Sequence, residues 1–315
     1  MIVAVEIIVG LLLITAGGEA LVRGAGRVAK LLGVPTVVVA LTLVAFGTSC
    51  PELAVNVTAS LRDATDLALG NIIGSNIANI LLVLGLAAVV RPLAVHLDLI
   101  KRESPFLLAL HLLLVVLILD GKLGRWDGLI LVGIGAVYLL LLVRAAKRAK
   151  LAEENPAPPA PRSAIGKQAA MAVVGMAMLL GGAHWFVAGA LELVTIFDLS
   201  ERVVGLTVAA LGTSLPEIGA SVVASLRKQG DLAIGNALGS CIFNLVFVLG
   251  LTTAIQPMPV ALGSADGVGV DLAVATAASA LLIPILWTSR KIVRFEGILM
   301  LIGYGVFVAY LVISG

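Results

Sequence analysis

The chain predicts an all-α membrane protein: ten transmembrane helices arranged as two inverted five-helix repeats, with broken helices at the motif segments. Three observations carry that expectation. Of its 315 residues, 60% are hydrophobic and 13% charged, and the mean hydropathy is +1.12, which excludes an ordinary soluble domain. A bilayer core needs about 20 apolar residues per helix, and apolar runs of roughly that length begin near residues 2, 34, 67, 104, 128, 168, 203, 231, 269 and 296. Finally, one stretch occurs twice: positions 41–86 align with 206–251 at a constant offset of 165, without a gap, and 26 of those 46 positions are identical.

The first run, Ile2 to Val22, has no basic residue ahead of it and is long for a signal segment, so it reads as a retained helix. Runs two and three hold the first copy of the repeated stretch. Run four carries His111, which reads as a buried hydrogen-bonding residue. Run five ends in Arg144, Lys147, Arg148 and Lys150. Between Ala152 and Ser163 stand four prolines with no apolar periodicity, the composition of a short solvated linker. Residues 1–150 are therefore read as the first repeat, 151–167 as a cytoplasmic linker and 168–315 as the second repeat. Run six is the counterpart of run one, and Glu19 and His184 at equivalent positions read as interfacial side chains reaching water. Runs seven and eight hold the second copy; runs nine and ten close the chain. Asp120, Asp127, Asp266 and Asp271 are expected in external loops, and Cys50 and Cys241 sit inside apolar segments with neither disulfide nor zinc spacing.

An odd number of spans per half forces the second half to enter the membrane from the opposite side. The loops agree. One side collects 17 of the 21 basic residues, and the other has only Arg62, Lys122, Arg125 and Arg202. The positive-inside rule makes the first side cytoplasmic and puts both termini outside. Such inverted-topology repeats are the architecture of alternating access around a midplane site.

The duplicated element itself is chemical. Gly47-Thr48-Ser49-Cys50-Pro51-Glu52 recurs as Gly212-Thr213-Ser214-Leu215-Pro216-Glu217, and Gly70-Asn71 and Gly74-Ser75-Asn76-Ile77-Ala78-Asn79 recur as Gly235-Asn236 and Gly239-Ser240-Cys241-Ile242-Phe243-Asn244. Pro51 and Pro216 each remove a backbone N–H, so the helices should break there and free carbonyls. An acidic residue at a helix centre costs about 2.5–3.5 kcal/mol on insertion scales. No Lys or Arg lies at comparable depth, so the partner of Glu52 and Glu217 is expected to be a transported cation, a proton, or both in turn. Ca²⁺ takes about 6–8 oxygens. The halves offer two carboxylates, the hydroxyls of Thr48, Ser49, Ser75, Thr213, Ser214 and Ser240, and the amides of Asn79 and Asn244. Ser75 and Asn79 are four apart, as are Ser240 and Asn244, which places each pair on one helix face.

Two copies of G-T-S-x-P-E followed by G-N-x-x-G-S-x-I-x-N resemble the paired α-repeats of the cation/calcium exchanger superfamily, most closely its prokaryotic sodium/calcium exchanger branch. The resemblance covers nearly the whole chain. It implies Glu52 and Glu217 as central Ca²⁺ ligands, joined by the backbone carbonyls of Thr48 and Thr213. It further implies that Na⁺ uses the same glutamates with Ser49, Ser214, Ser75 and Ser240, the carbonyls of Ala45 and Ala210, and the Asn79 amide. One position departs from the pattern: that branch often carries aspartate where this chain has Asn244, which leaves two carboxylates in the site. The resemblance implies an antiporter of the prokaryotic inner membrane. Ca²⁺, Na⁺ and the lipid bilayer are its expected partners. No cofactor, nucleic acid or catalytic activity is expected, and the chain is expected to be a monomer.

Three rivals remain at this stage. Protons in place of Na⁺ would keep the fold, although calcium/proton exchangers of the superfamily resemble G-N-x-x-E at the glutamate motif. An intramembrane hydrolase would need a base beside Ser49 or Ser214, and no His or Lys recurs there. A cation channel would use the broken helices but not the inverted repeat.

Overall fold

The computed structural model describes residues 2–61, 65–151, 162–194, 210–260 and 268–314. Apolar runs with almost no charge can satisfy their backbone groups in a bilayer only within helices, and the described residues are helical almost throughout. In order they are α1 (Ile2–Leu32), α2 (Thr36–Thr48), α3 (Cys50–Leu61), α4 (residues 65–90), α5 (residues 99–117) and α6 (Arg125–Leu151). The second half continues with α7 (Arg162–Val194), α8 (Ala210–Thr213), α9 (Leu215–Leu226), α10 (Gly230–Ile255), α11 (Val268–Ser289) and α12 (Arg294–Ser314). Seven of the described helices are long and apolar enough to cross a membrane. The run expected to begin near 203 starts outside the described residues.

Helix ends follow local chemistry. Helix α1 stops where Gly33 turns to φ +63°, letting the N–H of Val34 reach the Ala29 carbonyl at 3.0 Å, and Pro35 caps the helix that opens at Thr36. Helix α9 stops the same way without a glycine. Lys228 takes φ +62°, and Gln229 N–H bonds the Ala224 carbonyl at 2.9 Å.

Two differences from the sequence reading stand out. Helix α7 already begins at Arg162, so residues 162–167, assigned above to the linker, are helical; the last of the four linker prolines is Pro161, and past it nothing forbids a helix. Asp127 and Asp271, expected in loops, are in the first turns of α6 and α11, and Asp271 is 3% exposed.

The two halves interlock rather than lie side by side. Helices α1 and α7 pack together along their length. A Cβ on Gly17 would stand 2.7 Å from the Gly175 carbonyl, and one on Gly182 would stand 2.8 Å from that of Gly10. At the 165-residue offset Gly10 corresponds to Gly175 and Gly17 to Gly182, so this seam is a symmetric small-residue crossing. Helix α12 of the second half packs on α4 of the first, and α6 of the first on α10 of the second. Gly85 meets Gly297 at one seam and Gly128 meets Gly250 at the other.

Two short antiparallel ladders repeat that exchange. β1 (Leu93–Ala94) pairs with β4 (Lys291–Ile292), and β2 (Lys122–Leu123) pairs with β3 (Met258–Pro259). A polar clasp adds to them: Glu19 of α1 binds both Arg23 and Arg227, the latter from the residue that follows α9.

Candidate ion-binding site

The proline motifs produce a milder break than expected. Between α2 and α3 only Ser49 leaves the helix, at φ −85°, ψ 5°, and between α8 and α9 only Ser214 does, at φ −84°, ψ 0°. The Leu53 and Ile218 N–H groups then bond the Ser49 and Ser214 carbonyls at 3.2 and 3.0 Å, so each helix resumes at once. The prolines sit in the first turn of the new helix, where their missing N–H does least harm. The carbonyls four residues earlier, on Gly47 and Gly212, are the ones deprived of a helical donor.

Sequence reasoning did not foresee the widened turns that follow. Residues 78–83 of α4 and 244–249 of α10 are π-helical. Under the repeat the two segments overlap at 79–83 and 244–248, and each has its motif asparagine, Asn79 or Asn244, in its first turn. π-turns inside α-helices are frequent at functional sites, and repetition in both halves argues against a local accident.

Glu52 and Glu217 are both completely buried, and their four carboxylate oxygens make no hydrogen bond with any described residue. Each carboxylate feels the other half. Glu52 faces Glu217 and the Thr213 hydroxyl, whereas Glu217 faces the hydroxyls of Thr48 and Ser240. These hydroxyls are themselves paired across the repeats. Thr48 Oγ1 lies 3.2 Å from Ser240 Oγ and donates to Asn236 Oδ1 at 3.3 Å. Thr213 Oγ1 lies 3.3 Å from Ser75 Oγ and donates to Asn71 Oδ1 at 3.3 Å. Exchanging 48 with 213, 75 with 240 and 71 with 236 turns one set into the other. The site is therefore built about a two-fold relation between the halves.

Ser49 and Ser214 are buried at the one-residue turns, and their hydroxyls have no partner among the described residues. Asn79 and Asn244 are also fully buried. The Ala45 carbonyl accepts the Ser49 N–H at 3.0 Å, and Thr48 Oγ1 lies 3.3 Å from it. Ala210 opens α8 at the edge of the described residues.

Asn71 and Asn236 received no role above although they stand in the duplicated motif. They hold the threonines, and Asn236 Nδ2 also donates to Ser221 Oγ at 3.0 Å and to the Glu217 carbonyl at 3.4 Å. Asn56 supports the other glutamate, donating to the Glu52 carbonyl at 2.6 Å. Exact recurrence of Gly-Asn at 70–71 and 235–236 was the available signal for the first pair. Asn56 left none, because its counterpart is Ser221.

Chemically this is an oxygen-lined, water-excluding site with two carboxylates. Among the described residues no three of His, Cys, Asp and Glu cluster, so a thiolate- or imidazole-rich centre is not what this geometry builds. Buried carboxylates stay charged only beside a compensating charge, and hydroxyl, amide and carbonyl oxygens are what hard cations accept in place of water.

A family model described as sodium/calcium exchanger protein matches residues 2–144 and 167–313. The sodium/calcium exchanger MaX1 of Methanosarcina acetivorans is 30% identical over 98% of this chain and 97% of its own length. The putative antiporter CaxA of Alkalimonas amylolytica is 36% identical over 96% and 97%, and inner membrane protein YrbG of Escherichia coli (strain K12) 40% identical over 80% and 79%. A solved structure of the sodium-calcium exchanger NCX_Mj superposes with a TM-score of 0.85 at 31% identity, covering 98% of both chains.

Proposed function

The chain belongs to the sodium/calcium exchanger protein family, and from that premise we propose that it is a secondary antiporter exchanging Ca²⁺ for Na⁺ by alternating access around a site shared by its two repeats. The observation that carries the proposal is the mirrored pair Glu52 and Glu217, fully buried, each facing hydroxyls supplied by the other half.

In this reading the two carboxylates compensate one Ca²⁺, or two Na⁺, at equal charge. The Thr48 and Thr213 carbonyls join them for Ca²⁺. Ser49, Ser214, Ser75, Ser240 and the Asn79 amide serve Na⁺ together with the Ala45 and Ala210 carbonyls, and Asn244 supplies oxygen without charge. The ions compete because they need the same two glutamates, so exchange follows from shared ligands rather than from a separate coupling device. Ten spans, both termini outside the inner membrane and a monomeric carrier complete the reading, with inversion of the repeats supplying two equivalent facings.

The test is Ca²⁺ uptake by proteoliposomes of the purified protein under an outward Na⁺ gradient with pH clamped on both sides. Uptake should follow the Na⁺ gradient and stop when Na⁺ is replaced by choline. Uptake indifferent to Na⁺ but driven by an imposed pH gradient would replace the counter-ion, and steady single-channel currents would replace the carrier.

A further inference from the structure

His111 is 1% exposed on α5, and the ion site as described does not use it. Its surroundings define its hydrogen-bonding state. Nε2 lies 3.4 Å from Asn76 Nδ2, an amide nitrogen that can only donate, so Nε2 accepts. The proton is then on Nδ1, which lies 3.1 Å from the Leu107 carbonyl and 3.1 Å from Ser279 Oγ. Ser279 in turn donates to the Ala275 carbonyl at 3.0 Å. Both sides of the ring therefore demand the same neutral tautomer, and α11 and α5 are joined through it.

The chain of bonds runs on to the site. Asn76 Nδ2 also donates to the Cys241 carbonyl at 3.4 Å, which fixes the amide's nitrogen edge toward acceptors and its oxygen edge away from them. That oxygen accepts from Asn244 Nδ2 at 3.2 Å. Asn244 Oδ1 is left as the one unengaged atom of a completely buried amide, a turn of helix beyond Ser240. An amide presents an oxygen on one edge and two N–H groups on the other, so which edge faces a cation decides between ligand and repulsion.

We propose that His111 is a positioning residue for ion binding: acting through Asn76, it keeps the Asn244 carbonyl oxygen, rather than its NH₂, available to the ion. Under the 165-residue offset the counterparts of His111, Asn76 and Asn244 are Thr276, Cys241 and Asn79, so the mirrored position puts a thiol, not an amide, beside Asn79. The inference rests on the reading of Asn244 as an ion ligand, and it accounts for how a neutral amide serves where the exchanger branch often has a carboxylate. A carboxylate, with oxygen on both edges, would need no such orientation.

That last point supplies the experiment. Apparent Na⁺ and Ca²⁺ affinities are measured by concentration-dependent flux for wild type, His111→Leu, Asn244→Asp and the double variant, with Asn244→Leu as the reference for the site itself. Losing one link of the chain should weaken apparent ion affinity roughly three- to ten-fold in the wild-type background with little change in maximal rate. In the Asn244→Asp background the same His111→Leu change should have no effect. Equal losses in both backgrounds would mean that His111 only packs, and no loss in either would remove the relay. If Asn244→Leu binds ions as wild type does, the ligand reading of Asn244 fails instead. Asn76→Leu cuts the chain one link nearer the site. The two-background comparison is made with it if the His111 variant does not fold, and equal losses in both backgrounds would again overturn the proposal.

Discussion

The two motif regions, α2–α4 of the first half and α8–α10 of the second, agree wherever a side chain faces the shared site and differ one layer out. Glutamate, threonine, serine and the Gly-Asn pair are the same at both copies. In the supporting layer Asn56 stands against Ser221 and Asn76 against Cys241. The identical set makes the reciprocal bonds, Thr48 with Ser240 and Asn236, Thr213 with Ser75 and Asn71. The differing set makes no such mirrored bonds: Asn56 donates to the Glu52 carbonyl of its own helix, whereas Asn76 reaches across to the Cys241 carbonyl and to Asn244. Symmetry is thus kept around the two buried glutamates and released in the layer behind them.

The strongest way to break this comparison is to remove one charge. Glu52→Gln and Glu217→Gln should each lower Ca²⁺ flux by about 100-fold or more, since truncating one member of a buried charged set costs about 2–5 kcal/mol. Flux assays in proteoliposomes read this directly. A large loss for one glutamate with near-normal transport for the other would show that the halves do not share the ion.

Next come the exchanged seams. A Cβ on Gly128 would lie 2.5 Å from the Gly250 carbonyl and from the Ala254 backbone nitrogen, whereas one on Gly297 would lie 2.8 Å from the Gly85 carbonyl. Both contacts are with backbone, which cannot swing aside. Gly128→Ala and Gly297→Ala should each destabilise by about 1–3 kcal/mol, with Gly128 the worse, read as a fall in apparent Tm in detergent. Equal or reversed losses would mean that the seams relax differently from their resting spacing.

The smallest effect sharpens the two-fold relation. Thr48→Val and Thr213→Val each remove a hydroxyl that bridges the halves, and each should weaken apparent Ca²⁺ affinity about three- to ten-fold, as expected for about 0.5–1.5 kcal/mol per lost bond. The two losses should match within a factor of about two. A mismatch larger than that would show that the supporting layer, and not the threonines, sets the geometry.

Much of this was legible in the sequence because duplication is a local comparison that needs no coordinates. The offset of 165 picked out the glutamates, the hydroxyls and Asn79 with Asn244, and apolar runs placed the long described helices within about six residues of their starts, though not α3, α8 or α9. What stayed hidden depends on contacts between distant positions. Nothing in the pattern around Asn79 or Asn244 announces a π-turn. Thr48 and Ser240 are 192 residues apart, so their pairing is a fact of packing alone. Proline foretells the break but not its length: sitting in the first turn of a new helix, it disturbs only Ser49 and Ser214. His111 was rightly taken as a buried hydrogen-bonding residue, but its partners, Asn76 and Ser279, lie 35 and 168 residues away.

The short ladders carry a consequence for how the polypeptide is made. β1 waits for β4, almost two hundred residues downstream, and β2 for β3, while α6 has its seat on α10 and α12 on α4 of the other half. A nascent chain that has released only its first 150 residues therefore holds α1, α4 and α6 without α7, α12 and α10, the helices they pack against. Those faces must wait in lipid, and the closing seam, α4 with α12, should form only when the last helix arrives.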